Sequence, residues 1–396
     1  MSKKLIFCAD GTWNGTGNEQ QETTTDPTNV LKTFLNLAGQ DSMANYRLAD
    51  EQERTAKAAD GSVTQLAKYI HGVGDSNNFL VRLLGGTVGA GLITRIVRGY
   101  TFLCRNYQSG DQIYLIGFSR GAYTARALAG LIVAKGLMDA SQMDLTNKEK
   151  AYRMGAAVWY SYRKAALVNN TNLFGRFQEA IVDLPGFLTS TPPNAMIQDV
   201  TINAVAVWDT VGSLGIPTFN LEGGEIDALR FDDTKLNSKV KNGLHAVSID
   251  EERANFTPTL WQPDPRVTQV LFPGAHSDVG GGYPLTNNES DLSDASLAWM
   301  TRKLTALGVL YTTMPPTGNA AGVAHQPCLH SPWDALPKSQ RSFGPGLRLS
   351  ASVRYRMGSG DVQPDPDSSP AEYAPANLNQ YLAGNQVLPG VQIEPI

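Results

Sequence analysis

The chain has 396 residues, of which 42% are hydrophobic and 18% are charged, a composition typical of a globular protein with a large core. Its 33 basic and 37 acidic residues give a formal net charge of −4, and no long basic run occurs, so the sequence lacks the electrostatic signature of nucleic-acid binding. Its three cysteines are too few and too widely spaced for a disulfide framework or a zinc motif.

The first predicted element is a buried strand at residues 5–9, which follows two lysines. Its apolar run is too short for the hydrophobic region of a secretory signal, so we expect cytoplasmic synthesis without a cleavable signal peptide. The most membrane-like stretch, residues 79–103, contains three arginines and many glycines. It therefore does not fit a membrane-spanning helix.

Strand-like and helix-like segments alternate along the rest of the chain. Apolar spacing predicts helices at residues 28–37, 91–107, 122–137 and 293–307. Continuous apolar runs predict strands at residues 69–74, 112–116, 202–208 and 267–272. A helical pattern covers residues 239–254, although 245–249 also fits a strand. The alternation predicts an α/β fold with a mostly parallel, doubly wound sheet, whose chemistry lies at the carboxyl ends of the strands.

Two segments depart from this alternation. Residues 139–200 join an aromatic helical stretch to proline-broken text, which we interpret as a cap or lid inserted in a catalytic domain at 1–350. In a lid, Trp159, Tyr160 and Tyr162 would contact acyl chains, although burial by helix packing is the commoner role of such aromatic residues. Residues 351–396 are rich in proline and polar residues, which favours a tail that wraps the surface or is partly disordered.

The sequence GFSRG at residues 117–121 places Ser119 between two glycines, after a predicted strand and before a predicted helix. This context is typical of a nucleophile elbow, in which a sharp turn exposes the serine hydroxyl and the glycines let strand and helix approach closely. Ser119 is therefore the candidate nucleophile. The N–H of Arg120 is the first candidate oxyanion donor, and Gly11 is the second, with the turn at residues 72–74 as its alternative.

A serine nucleophile needs a base and an orienting acid, which follow it in the order acid, then histidine, in hydrolases of this fold. Among five histidines, His276 is favoured because it follows a predicted strand in a glycine-rich loop, whereas His245 lies in an apolar run typical of a core. Asp209 directly ends the strand at 202–208 and is the favoured acid. Asp250 is the alternative acid, although its charged neighbours are more typical of a solvated face.

Five segments of the chain, taken together, resemble an uncharacterised α/β-hydrolase domain family that includes the bacterial type VI secretion lipase effectors. They are FCADGTWNGTGN, LIGFSRGAYTARALAGLI, AVWDTVGSLGIP, HAVSIDEERANFTPTLW and LFPGAHSDVGGGY, in this order. The resemblance runs over about 300 residues from the N-terminus. It implies a triad of Ser119, Asp209 and His276, in agreement with the interpretation from the residues alone.

The resemblance also implies a function. Members of the family are phospholipases of the A type that the type VI system delivers into competitor cells. For this chain the resemblance implies delivery into the periplasm of the target cell and peripheral contact with its membrane. A secretion-spike component and an immunity protein are the implied partners, and we expect no cofactor, metal ion or nucleic acid. Larger members carry an additional membrane-binding domain, for which the residues beyond 300 leave little room. A carboxylesterase for soluble substrates with the same triad therefore stays an alternative, as does a non-catalytic binding protein on a hydrolase fold.

Overall fold

The computed structural model describes residues 2–11, 27–41, 51–71, 90–167, 192–211, 219–221, 224–226, 234–284, 289–315, 338–359, 361–362, 369–385 and 392–395. The strands are β1 (Lys4–Ala9), β2 (Gln40–Asp41), β3 (Glu51–Lys57), β4 (Val63–Ile70), β5 (Gln112–Phe118), β6 (Leu137–Met138), β7 (Met196–Ile197), β8 (Ile202–Trp208), β9 (Phe219–Leu221), β10 (Gly224–Ile226), β11 (Gly243–Ser248), β12 (Val267–Phe272), β13 (Arg348–Ser350), β14 (Asp361–Val362), β15 (Ala371–Glu372) and β16 (Ile393–Glu394). The α-helices are α1 (Asn29–Asn36), α2 (Ala90–Asn106), α3 (Arg120–Lys135), α4 (Lys148–Leu167), α5 (His276–Gly280), α6 (Asp291–Ala306), α7 (Ala351–Gly358) and α8 (Ala376–Asn385).

One ten-stranded sheet organises the molecule, in the order β16-β13-β12-β11-β8-β5-β1-β4-β3-β2. All neighbours from β4 to β16 pair in parallel, and β3 and β2 continue the sheet in antiparallel pairing. The central strands are continuous apolar runs because helices cover both faces of the sheet. The predicted α/β fold with a mostly parallel sheet is thereby confirmed.

Side chains alternate between the two faces along each strand, and this alternation divides the core. On β1, Leu5 and Phe7 face the layer formed by α2, α3 and α4. Ile6 and Cys8 face the opposite layer, which contains α1 and α6. Because the strands from β4 to β16 are parallel, their carboxyl ends lie at one edge of the sheet, between the two helical layers.

The helix in the predicted cap belongs to a helical layer, whereas β7 of the cap pairs with β6. Helix α4 packs against α2 and α3, and its Trp159 is buried in the same core as the apolar residues of those helices. The Trp159 ring lies 5.7 Å from that of Tyr162, in an ordinary packing contact. Trp159 therefore has a core role, while residues 168–191 of the predicted cap lie outside the described residues.

The segment predicted as a tail contributes to the fold. Strand β16 pairs with β13 at the edge of the sheet, and Glu394 in it forms ion pairs with Lys303 and Arg348. Leu378 and Tyr381 on α8 pack into the core, although their surroundings in the sequence are polar and rich in proline. Sequence composition alone underestimates such elements because two or three buried side chains are enough to anchor a short helix.

Residues 239–254 also differ from their helical pattern, since β11 occupies 243–248 as the strand alternative proposed. All six residues of β11 are buried, and a strand covered on both faces has no polar alternation to distinguish it from a buried helix. As for membranes, none of the helices in the described ranges is both long enough and apolar enough to span a bilayer.

Candidate active site

The sheet register brings four loop-bearing strand ends together. Residue pairs Ala9–Gly117 and Phe118–Trp208 are neighbours across β1, β5 and β8, and the last residues of β11 and β12 are paired next to them. The segments that carry Gly11, Ser119, Asp209 and His276 therefore leave the sheet at the same edge, as the sequence predicted for chemistry in a parallel sheet.

Ser119 lies in a strained turn between β5 and α3. Its φ of 57° and ψ of −125° fall where non-glycine residues are rare, and its N–H donates to the Trp208 carbonyl at 3.1 Å. A Cβ on Gly117 would lie 2.4 Å from the Gly121 carbonyl oxygen, and one on Gly121 would lie 2.0 Å from that of Ala9. Both glycines are required because the backbones approach so closely, which is the geometry of a nucleophile elbow.

Asp209 and His276 meet at the end of β8. Asp209 Oδ2 lies 2.5 Å from His276 Nδ1, and both side chains are buried. The backbone N–H of Ser248 donates to the other carboxylate oxygen at 3.0 Å. Asp209 itself has a positive φ of 35°, so the backbone is also strained at the second of these strand ends.

The sequence offered no signal for Arg341, which binds the same carboxylate. Its guanidinium donates to both oxygens of Asp209, at 2.7 and 2.9 Å, in a bidentate pair. It also donates to the carbonyl oxygens of Ser248 and Phe256, at 2.8 and 2.6 Å. Its segment at 338–347 has no regular hydrophobic pattern, and 132 residues separate it from Asp209 in the chain.

The imidazole of His276 is held between two aromatic rings. The centroid of Phe118 lies 4.6 Å from it, and that of Phe256 lies 4.9 Å from it and nearly perpendicular. Because Asp209 accepts from Nδ1, a neutral ring carries its free lone pair on Nε2. Within the described part of the chain, the buried Nε2 has no hydrogen-bond partner. The ring is thus oriented so that its basic nitrogen can accept a proton.

Burial and neighbouring charges keep Asp209 ionised and His276 neutral. Burial alone would raise the pKa of Asp209, but the charge of Arg341 and the hydrogen bonds from His276 and Arg341 together hold it well below its usual range. Burial lowers the pKa of His276, and its bond to Asp209 offsets only part of that effect. At neutral pH the pair is therefore a carboxylate and a neutral imidazole.

The charged segment after β11 is partly buried, and its carboxylates at 250 and 251 have hydrogen-bond partners within the protein. Glu251 is only 1% exposed, binds Arg253 through both oxygens and accepts from the backbone N–H of His276 at 3.2 Å. Asp250, the alternative acid, accepts from the Gly274 N–H at 2.6 Å and from the Tyr373 hydroxyl at 2.8 Å. It thus anchors the loop before His276, and the structure places Asp209 on the imidazole.

The two candidate oxyanion donors lie beside the serine. Arg120 begins α3, where the N–H groups of the first turn have no acceptor within the helix. A Cβ on Gly11 would lie 3.3 Å from that of Ser119, but the Gly11 N–H donates to the Asp10 carboxylate at 2.7 Å. To stabilise an oxyanion, the Gly11 N–H would therefore have to leave the Asp10 carboxylate and donate to the oxyanion instead. The alternative turn at 72–74 lies outside the described residues.

Of the other histidines, the structure describes His71 and His245, and neither contacts Asp209 through its ring. His245 Nε2 accepts from the Thr210 N–H at 3.0 Å, and burial lowers its pKa to about 3, as befits a core residue. His71 is exposed at the end of β4, and the histidines at 325 and 330 lie outside the described residues. Asp278 caps α5 by accepting from the Ala275 N–H, and the described residues contain no cluster of three metal-ligating side chains.

Comparison with known proteins places the chain in a family. Residues 3–303 match the family model described as T6SS, Phospholipase effector Tle1-like, catalytic domain. The uncharacterized protein YEL023C of Saccharomyces cerevisiae is 25% identical over 269 residues, which are 68% of this chain and 34% of the yeast protein. The chain therefore matches only about a third of the length of that curated relative.

Two solved structures are also similar to the chain. The Tle1 effector bound to the VgrG spike of the type 6 secretion system has a TM-score of 0.38 and 17% identity, covering 72% of this chain and 52% of that one. An uncharacterized protein from Pseudomonas aeruginosa has a TM-score of 0.39 and 16% identity, covering 80% and 47%. Because the family model spans most of the sequence, the chain belongs to the family of type VI secretion phospholipase effectors with a Tle1-like catalytic domain.

Proposed function

We propose that the protein is a serine ester hydrolase that cleaves acyl esters of phospholipids, with Ser119, His276 and Asp209 as its triad. The observation that carries this proposal is the strained Ser119 at a strand end next to a buried Asp209–His276 pair. Strain at a non-glycine residue persists only where the surrounding structure enforces it. In this proposal the strained turn holds the Ser119 hydroxyl in position as the nucleophile.

The proposed reaction has two halves, acylation of Ser119 and hydrolysis of the acyl-serine, and the triad acts in both. The Ser119 hydroxyl attacks the acyl carbonyl while His276 Nε2 takes its proton, and Asp209 stabilises the resulting imidazolium. The imidazolium then protonates the leaving lysophospholipid alkoxide, which leaves an acyl-serine. Water repeats the sequence, releasing the fatty acid and restoring Ser119. In both halves the Arg120 N–H and Gly11, after release from Asp10, stabilise the negative oxygen.

The family supports the choice of a phospholipid over other esters, since its description names phospholipase effectors. We propose cleavage of the A type, which releases a fatty acid and a lysophospholipid. We further propose that the type VI system exports the protein into the target cell periplasm. A secretion-spike component, and an immunity protein in the producing cell, would then be its partners.

Lipid-product analysis on phospholipid vesicles tests the reaction. We expect the wild type to release fatty acid and lysophospholipid, and Ser119→Ala to release neither. Ser141→Ala, which removes an exposed hydroxyl, is the matched control and should behave as wild type. A fluorophosphonate probe should label the wild type and the control but not Ser119→Ala.

The alternatives correspond to different results of the same experiment. Ser119-dependent hydrolysis of short nitrophenyl esters without any hydrolysis of vesicles would identify a carboxylesterase for soluble substrates. Absence of labelling, with Ser119→Ala indistinguishable from wild type on every ester, would leave a binding protein on a hydrolase fold and would refute the proposal.

A further inference from the structure

A buried carboxylate needs a counter-charge, and two side chains that contact Asp209 could supply it. Moving an isolated carboxylate from water into a protein interior is strongly unfavourable unless a cation or several donors accompany it. Asp209 is fully buried, and it contacts the guanidinium of Arg341 and the imidazole of His276. The guanidinium is always protonated, whereas the imidazole is charged only when it holds a second proton.

We propose that Arg341 is a positioning residue of the site, which supplies the permanent counter-charge of Asp209 so that His276 remains neutral and can act as a base. The inference rests on the proposed roles of Ser119, His276 and Asp209. It extends the site beyond residues 3–303, the span of the family match, because Arg341 lies after that span. A catalytic unit limited to that span would keep the bonds of Asp209 to His276 and Ser248 but would lack its guanidinium partner.

The guanidinium and the imidazole share one oxygen of the carboxylate. Arg341 Nη2 and His276 Nδ1 bind the same oxygen of Asp209, at 2.9 and 2.5 Å. With Arg341 in place, the negative charge of the carboxylate is already balanced, and a nearby guanidinium disfavours a second positive charge on the ring. Without Arg341, the unbalanced carboxylate would favour the imidazolium and raise the pKa of His276.

Other charges around His276 do not replace this effect. Glu251, which accepts from the His276 N–H, is itself paired with Arg253 at 2.8 and 2.9 Å, so their influences on the ring oppose each other. On the helix of His276 itself, Asp278 accepts from the Ala275 N–H. Burial itself disfavours the charged ring, and Asp209, with Arg341 bound to it, is the charged pair that acts on the ring in addition.

Arginine suits this position better than lysine would. Its planar fork donates to both carboxylate oxygens and to the carbonyl oxygens of Ser248 and Phe256. The two bonds to the carbonyl oxygens hold the guanidinium, and its two bonds to Asp209 fix the plane of the carboxylate and hence the direction from which it accepts from His276. A lysine at the same position could supply the charge but only part of the orientation.

A pH titration of the His276 imidazole by NMR tests the inference without requiring enzymatic activity. We expect Arg341→Gln to raise the pKa of His276 by about 1 unit or more, a typical shift for one adjacent charge. Arg341→Lys should raise it by less, because the charge remains. Arg153→Gln, which removes one charge from an exposed ion pair on α4, is the matched control and should leave the titration unchanged.

Hydrolysis provides a second measurement if the proposed function holds. The acid limb of kcat/KM should move to higher pH in Arg341→Gln by the same amount as the titration, with activity recovering partly above that limb. A purely structural role would lower activity at every pH without moving the limb.

The results separate the two proposals. An unchanged His276 titration in folded Arg341→Gln overturns the counter-charge role, whatever the activity. Should that variant not fold, Arg341→Lys carries the test, and a rise of about 1 unit or more in the pKa of His276 there, although the charge is kept, overturns the role. Wild-type protein without Ser119-dependent hydrolysis would refute the proposed function alone, since the titration would still decide the role of Arg341.

Discussion

Gly121→Ala tests whether the close approach of β1 to α3 holds the candidate nucleophile in place. A Cβ at this position would lie 2.0 Å from the Ala9 carbonyl oxygen and 2.6 Å from that of Asp10. A carbon and a carbonyl oxygen make even a close contact only near ~3.3 Å, so the backbones would have to separate by about 1 Å. No flexible side chain is available to yield, because the contacted atoms all belong to the backbone.

The expected result is a loss of both stability and reactivity. Overpacking of this kind typically lowers the free energy of unfolding by ~1–3 kcal/mol. A displacement of about 1 Å at a reacting group can lower a rate by about 10²-fold, and the loop that moves contains Gly11, beside Ser119. Urea unfolding followed by circular dichroism would measure the first effect, and the rate of fluorophosphonate labelling would measure the second.

Gly358→Ala is the matched control for this change. Gly358 is the last residue of α7, and a Cβ there would meet nothing within 4 Å. An alanine at such a site stabilises a helix by up to ~1 kcal/mol, so the control should unfold at the same urea concentration as the wild type or at a higher one. The reasoning would be refuted if Gly121→Ala unfolded like the wild type and labelled at the wild-type rate.

Three further changes test the site and its support. His276→Asn should lower ester hydrolysis by roughly 10²–10⁴-fold through loss of the general base, whereas His71→Asn at an exposed site should not; equal activities would exclude His276 as the base. Burial lowers the pKa of His245 to about 3. Below about pH 6.5 the unfolded chain therefore binds a proton that the folded chain does not, so the free energy of unfolding decreases as the pH is lowered. Between pH 6.5 and 5 this loss is about 2 kcal/mol, and urea unfolding of His245→Gln should show a shallower pH dependence; parallel curves would contradict it. Thr28→Val removes the cap of α1 and a hydrogen bond to Asp10, so it should lower the free energy of unfolding by about 1–2 kcal/mol, and an unchanged urea midpoint would count against the cap.

The sequence alone was sufficient for the central strands of the scaffold and for the positions of the candidate triad residues. Buried parallel strands are continuous apolar runs, so the strand at 202–208 and the strand at 267–272 were predicted with the bounds that the structure has. Ser119, Asp209 and His276 each follow such a run, and the shared edge of a parallel sheet brings them together. These are consequences of local patterns, which a reader of the sequence can see within about ten residues.

The tertiary structure decided which partners those groups have. Arg341 binds Asp209 across 132 residues, and Glu251 is buried against the His276 backbone although its neighbours in the sequence are charged. Trp159 is in the core, and β16 completes the sheet from a segment that composition alone marks as a tail. Long-range pairing and burial of polar groups depend on the packing of distant segments, whereas periodicity reports only the local surroundings of each residue, so no local pattern could have revealed them.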